Sequence, residues 1–142
     1  MTAAKEKEEK LQMLYVEFQH LDKHIKQLEN QITALSNQLI DLMATIQSLE
    51  DIKKAKEKAE ILVPLSSGIY AKAELKNSNN FIVNVGANIA LVKDLDSTKD
   101  LMESQIEEMK KLQEDLVNRM QEQTTKSASI EQEMSKIASE IQ

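Results

Sequence analysis

Apolar residues in the first third of the chain recur at alternating steps of three and four: Leu11, Leu14, Phe18, Leu21, Ile25, Leu28, Ile32, Leu35, Leu39, Leu42, Ile46 and Leu49. With Leu11 as heptad position a, every d position is leucine and the a positions are Leu, Phe, Ile, Ile, Leu and Ile. A stripe kept up for about five to six heptads predicts a coiled coil. The pattern stops at Lys53 and Lys56, so a first coiled-coil helix is expected over residues 8–60. A helix with its stripe in water would not persist alone, because packing of the apolar face supplies most helical stability.

A second seam follows at residues 94–142. Its positions are Leu95, Lys99, Met102, Ile106, Met109, Gln113, Leu116, Met120, Gln123, Ser127, Ile130, Met134, Ile137 and Ile141. Asp94-Leu95-Asp96-Ser97 supplies N-cap candidates and acidic residues where the helix dipole favours them. The economical topology folds this helix back along the first, both termini at one end, with Leu49 near Met102 and Leu11 near Ile137. Gln123 and Ser127 then face the region of Leu21 and Ile25. A Leu or Ile opposite Gln forfeits part of the roughly 1.5–3 kcal/mol that full burial brings. Thr124-Thr125-Lys126-Ser127-Ala128-Ser129 adds poor helix formers there. The terminal third of the hairpin is therefore expected to be weakly zipped.

Beyond that weak point lie Leu11, Met13, Leu14, Tyr15, Val16 and Phe18 on one arm and Ile130, Met134, Ile137 and Ile141 on the other. Met13, Tyr15 and Val16 are off the seam, so this end of the first helix is apolar over more of its circumference than one partner helix covers. Apolar patches of that kind mark contact sites. Methionine suits a surface that must adapt to several shapes; Met102 and Met109 read as core packing and Met134 as a contact residue.

Between the seams, residues 61–93 change character. They hold the only proline, Pro64, and both glycines, Gly68 and Gly86. β-Branched and aromatic runs cut by turn formers predict four strands near Ile61–Leu65, Ile69–Leu75, Phe81–Val85 and Ile89–Lys93. Their connections are Ser66-Ser67-Gly68, Lys76-Asn77-Ser78-Asn79-Asn80 and Gly86-Ala87-Asn88, whose Gly and Asn residues tolerate positive φ. Two sequential hairpins are one arrangement; a further pairing across the Asn-rich turn is another. A unit this small cannot stand alone in water. Phe81-Ile82-Val83-Asn84-Val85 is apolar on nearly both sides, which calls for cover on both faces. The expected cover is the same unit from another subunit, reached through Val63, Leu65, Ile69, Ala71, Ala73, Leu75, Phe81, Ile82, Val83, Val85, Ile89 and Leu91. The fold class is α+β: a long antiparallel coiled-coil hairpin with a central four-stranded insert that oligomerises into a β barrel.

Composition narrows the function classes. Thirty per cent of the 142 residues are charged, the net charge is −6, and the aromatics are two Tyr and two Phe with no Trp. That is a poor recipe for a globular core and a usual one for long helices. With no cysteine there is no disulfide framework or thiolate zinc site. No apolar run approaches the roughly 18 residues of a membrane span, and Met1-Thr2-Ala3-Ala4-Lys5-Glu6 does not read as a signal peptide. A cytoplasmic protein without membrane attachment is expected. Arg119 is the single arginine, so nucleic acid is not an expected partner.

Three small constellations have residue types that chemistry uses. Glu17, His20 and His24 have helical spacing that could hold a metal, but solvated histidines on a coiled-coil flank are the stronger reading. Asp94 and Asp96 could act as acid and base, yet they stand where a helix N-terminus attracts carboxylates. Ser66-Ser67-Gly68 is not a nucleophile elbow, and no Gly-x-x-x-x-Gly-Lys phosphate loop exists. The charged runs Lys5–Lys10 and Lys53–Lys58 read as solvated faces. No catalytic residue, metal or cofactor is expected, and the chain is not expected to be an enzyme.

The segments Val63-Pro64-Leu65-Ser66-Ser67-Gly68-Ile69-Tyr70-Ala71-Lys72-Ala73 and Ile82-Val83-Asn84-Val85-Gly86-Ala87-Asn88 resemble the Val-Pro-Leu…Tyr-Val-Lys-Ala and Val-Asp-Val-Gly-Thr-Gly stretches of the prefoldin family. Asn84 stands for the usual Asp and Asn88 for the second Gly, both compatible with a turn. Helix, insert and helix follow in the family's order over essentially the whole chain, and an insert with four strands points to the alpha class. The resemblance implies a hetero-hexamer of two alpha and four beta-class subunits, joined in a double β barrel with six coiled coils. It further implies an ATP-independent chaperone, a holdase that grips unfolded client proteins at the coiled-coil tips and passes them to a group II chaperonin. A structural tether binding a specific helical partner is the competing reading; such a tether would not need the β insert.

Overall fold

The computed structural model describes residues 2–55, 58–76 and 79–141. Parts of the Lys53–Lys58 run and of the Lys76–Asn80 turn lie outside these residues. Element order is α1 (Thr2–Lys54), β1 (Glu60–Ser66), β2 (Ile69–Glu74), β3 (Asn80–Gly86), β4 (Ile89–Asp94) and α2 (Leu95–Ile141). The chain divides into two units, Met1–Gln38 with Met109–Gln142 and Leu39–Glu108.

The first unit is an antiparallel pair of helical segments. Lys7 pairs with Glu140 at 3.4 Å, Lys10 with Glu133 at 3.1 Å and Glu17 with Lys126 at 3.8 Å, so the two termini lie together. Leu28, Leu35 and Leu116 form a buried cluster, with Ile32, Met109 and Met120 packed against it. Leu21, Ile130 and Ile137 are also buried. All of them lie on the heptad seam, since only that stripe turns inward when two helices meet.

The seam does not loosen where its polar residues predicted it would. Gln123 and Ser127 are half-buried, and α2 runs unbroken through Thr124–Ser129. The hydroxyls of Thr124 and Thr125 donate to the carbonyls of Met120 and Gln121 at 2.8 and 2.9 Å. Each threonine thereby satisfies its polar group against its own helix, and packing on either side overrides the weak propensity.

In the second unit, Leu39, Leu49, Leu95 and Ile106 are buried. Asp94 caps α2: its Oδ1 accepts from the Ser97 backbone N–H at 2.7 Å. Its carbonyl accepts from the Thr98 hydroxyl at 2.7 Å, which satisfies the one buried polar side chain among the described residues. Lys53 and Lys54 close α1, where the helix dipole favours cations.

The strands form two separate antiparallel hairpins, β1–β2 and β3–β4; no pairing joins them among the described residues. In the first, Ile61 faces Ala73 and Val63 faces Ala71; in the second, Ile82 faces Val92 and Val83 faces Leu91. The hairpins repeat one plan at an offset of twenty positions, with strands starting at 60 and 80 and at 69 and 89. In each the register shifts just before the turn, between Pro64 and Ser66 and between Asn84 and Gly86. The β3–β4 turn runs through three consecutive positive φ values, Gly86 at 103°, Ala87 at 52° and Asn88 at 59°. The Asn84 side chain accepts from the Gly86 N–H at 3.0 Å and fixes its entry.

Candidate functional site

Two sets of apolar residues were expected to make contacts, and the structure distributes them unevenly. At the paired termini, Met13 is 73 %, Tyr15 56 % and Val16 50 % exposed. Leu11, Leu14 and Phe18 are half-buried, as are Met134 and Ile141. Ile130 and Ile137, expected as contact residues on a loosened arm, are instead 6 % and 7 % exposed. The reason is the seam itself: the helices close on each other to the last turns, so a/d side chains of α2 turn inward.

The solvent-facing apolar surface therefore belongs chiefly to α1. Tyr15 and Val16 join Leu11, Gln12 and Met134 around a groove of about 470 Å³ along the seam's edge. Val16 and Gln12 continue onto a second, more open depression with Met13, Glu9, Glu17 and His20. About 100° separates successive helical residues, which puts Met13 and Val16 on the side of α1 away from Leu11, Leu14 and Phe18.

The hairpins carry the second set. Ile82 is 80 % exposed, and Leu65, Ile69, Val63, Val85, Ile89 and Leu91 are exposed as well. Ala71, Ala73, Leu75, Phe81 and Val83 are half-buried. Sequence reasoning missed Leu62, Tyr70 and Val92, all exposed. Val92 stands opposite Ile82 in the ladder and forms an apolar pair with it on one face. Val83 and Leu91 form such a pair on the other face, so β3–β4 is apolar on both sides. The signal for Val92 was its register with Ile82, which the alternation of one strand alone does not show. Ile40, Met43 and Leu112, off the seam and exposed, were also missed.

Electrostatics at these surfaces is structural. Lys99 Nζ donates to Glu50 Oε1 at 2.7 Å, joining α1 to α2 in the second unit. That hydrogen bond, with the charge of Lys99, holds the Glu50 carboxyl below its ordinary range; the same contact raises Lys99. The Asp94 carboxyl is lowered by the backbone N–H and side chain of Ser97. Among the described residues no three His, Asp or Glu side chains gather to hold a metal. No described helix is long and apolar enough to cross a membrane.

Residues 21–140 match the family model of the prefoldin subunit. This chain belongs to the prefoldin family. Among curated relatives, the prefoldin subunit alpha of Thermococcus onnurineus is 34 % identical over 104 residues, covering 72 % of this chain and 71 % of the relative. That of Methanococcus vannielii is 25 % identical over 134 residues, covering 94 % and 90 %. The fold matches a cryo-EM structure of filamentous PFD from Methanocaldococcus jannaschii with a TM-score of 0.72. That match has 19 % identity and covers 80 % of this chain and 93 % of that one. Two long helices with two antiparallel hairpins are the prefoldin architecture, and the chain is an alpha-class prefoldin. Prefoldins are chaperones, and that is the function of this chain. Nothing in the fold or its relatives favours the tether.

Proposed function

We propose that this alpha-class prefoldin is the ATP-independent holding subunit of a hetero-hexamer of two alpha and four beta-class subunits in the cytoplasm. Its hairpins join subunits through Val63, Leu65, Ile69, Ala71, Ala73, Leu75, Phe81, Ile82, Val83, Val85, Ile89 and Leu91, building a shared β barrel. Its paired termini hold unfolded clients and yield them to a group II chaperonin. The observation that carries this reading is uncovered apolar surface at two places: Ile82 and Val92 on a two-stranded hairpin that pairs with no further strand among the described residues, and Met13, Tyr15 and Val16 at the termini. Two-stranded sheets are marginal in water without cover, which supports assembly. Contiguous apolar surface outside a core supports client contact. Each contact is weak, and several on one base raise the effective concentration of the next.

Light scattering of a denatured test enzyme, with the complex assembled from this chain and a beta-class subunit, tests the reading. Removing about fifteen residues from each terminus should leave the mass of the assembly, by native mass spectrometry, changed only by the deleted residues, and should abolish protection. Full protection by the shortened complex overturns the assignment of the termini.

A further inference from the structure

Sulfur chemistry in this chain is confined to thioethers, since it has seven methionines and no cysteine. Among the described residues Met13 and Met43 are the exposed ones, at 73 % and 50 %. Met102, Met109, Met120 and Met134 are half-buried on the α2 seam. An oxidant must reach the sulfur lone pair, so exposure orders the reactivity of thioethers that are otherwise alike. Met13 stands first in that order, and its place gives the reaction a consequence. It lines the open depression at the termini with Gln12 and Val16. Met43, in the second unit, is not part of that lining. Met13 also lies off the heptad seam, two positions after Leu11, so a change at its sulfur disturbs no a/d packing.

Resting on the holding function proposed above, we propose that Met13 is a reversible modification site: hydrogen peroxide oxidises it to methionine sulfoxide, and the modified complex stays assembled but no longer holds clients. The sulfur attacks one peroxide oxygen, forming an S–O bond as the O–O bond breaks. The transferred oxygen passes its proton to the departing hydroxide, which leaves as water. Sulfur is thereby oxidised by two electrons and the peroxide reduced by two. A sulfoxide reductase reverses the step with two thiols, which become a disulfide while the oxygen leaves as water. The product carries a polar S–O acceptor where a flexible apolar side chain stood. A client's apolar groups would take that acceptor out of water without supplying a donor, which is unfavourable. The switch therefore acts on contact and leaves the paired helices as they are.

The test uses the complex assembled with a beta-class subunit. Peroxide is added, then destroyed with catalase at intervals before a denatured enzyme is introduced. Peptide mass mapping should find oxygen at Met13 before the four seam methionines, and protection read by light scattering should fall in step with that oxygen. Native mass spectra should keep the assembly, heavier only by the added oxygen, and circular dichroism should show unchanged helicity. Methionine sulfoxide reductase with a dithiol should restore protection. A Met13→Leu complex with the same beta-class subunit, compared with itself untreated, should keep its protection through peroxide; a Met43→Leu complex should lose it as wild type does. Complete oxidation of Met13 with protection intact overturns the inference while leaving the holding function in place, as does an equal loss in the Met13→Leu complex. If the Leu chain holds nothing even untreated, the wild-type course of oxygen at Met13 against protection decides alone. An untreated wild-type complex that protects nothing overturns both.

Discussion

Gln113 Nε2 donates to Ser36 Oγ at 2.6 Å, a hydrogen bond between two half-buried side chains on opposite helices of the first unit. Gln113 is one of four polar positions in the seam of α2, with Lys99, Gln123 and Ser127, and its neighbours on that seam are Met109 and Leu116. An apolar stripe tolerates sliding by whole heptads, because one leucine packs much like the next; a polar pair is satisfied in one register only.

From that pairing follows a double-mutant cycle with Gln113→Ala and Ser36→Ala. The coupling should be about 0.5–1.5 kcal/mol by chemical denaturation. Additive single effects would mean that the two side chains do not cooperate.

The Glu50–Lys99 bond has a defined pH signature. The lowered carboxyl contributes stability that is full above its ordinary value of 4.5 and is lost as pH falls through the folded value. The raised ammonium contributes stability that is full below 10.5 and is lost as pH rises through its folded value. The contribution is flat in between. Melting of Glu50→Gln beside wild type should show a constant deficit near neutrality that shrinks in acid. A deficit independent of pH down to strongly acidic solution would remove the ion pair from the account.

Ala87 holds a left-handed backbone at φ 52° that disfavours any side chain. Ala87→Gly should therefore stabilise the protein by about 0.5–1 kcal/mol, less than the full strain because glycine also loosens the unfolded chain. Thermal melting of the assembled complex is the measurement, and a lower melting temperature would contradict the strain.

Ile82→Lys or Val92→Lys places a charge on one apolar face of β3–β4. If that face is covered on assembly, either change should shift the complex toward free subunits in native mass spectra while α1 and α2 keep their helicity. A full-size assembly of the Ile82→Lys chain would mean that the face remains in water.

Much of this architecture was legible because two periodicities do not overlap. The 3–4 spacing from Leu11 to Leu49 admits only a helix stripe, and the predicted strands agree with the observed ones to within one residue at each end. The pairing was less legible: alternation along β3 orders its own faces but does not say that Val92 meets Ile82. The state of the terminal seam was less legible still. Gln123 and Ser127 weaken it on paper, but the threonine hydroxyls turn back onto their own carbonyls and the ion pairs of Lys7, Lys10 and Lys126 lie across it. Which helix would present its apolar side chains to solvent depended on that closure. Met13, Tyr15 and Val16 could be recognised as off the seam, but not as neighbours of two adjoining grooves.

The twenty-residue offset between the hairpins makes the insert modular. Because both ladders begin, shift and turn at equivalent places, cutting out one period would excise an entire hairpin and rejoin the backbone at a matching point, with the phase of neither flanking heptad disturbed. A one-hairpin and a two-hairpin subunit can thus be the same framework carrying one or two copies of a cassette.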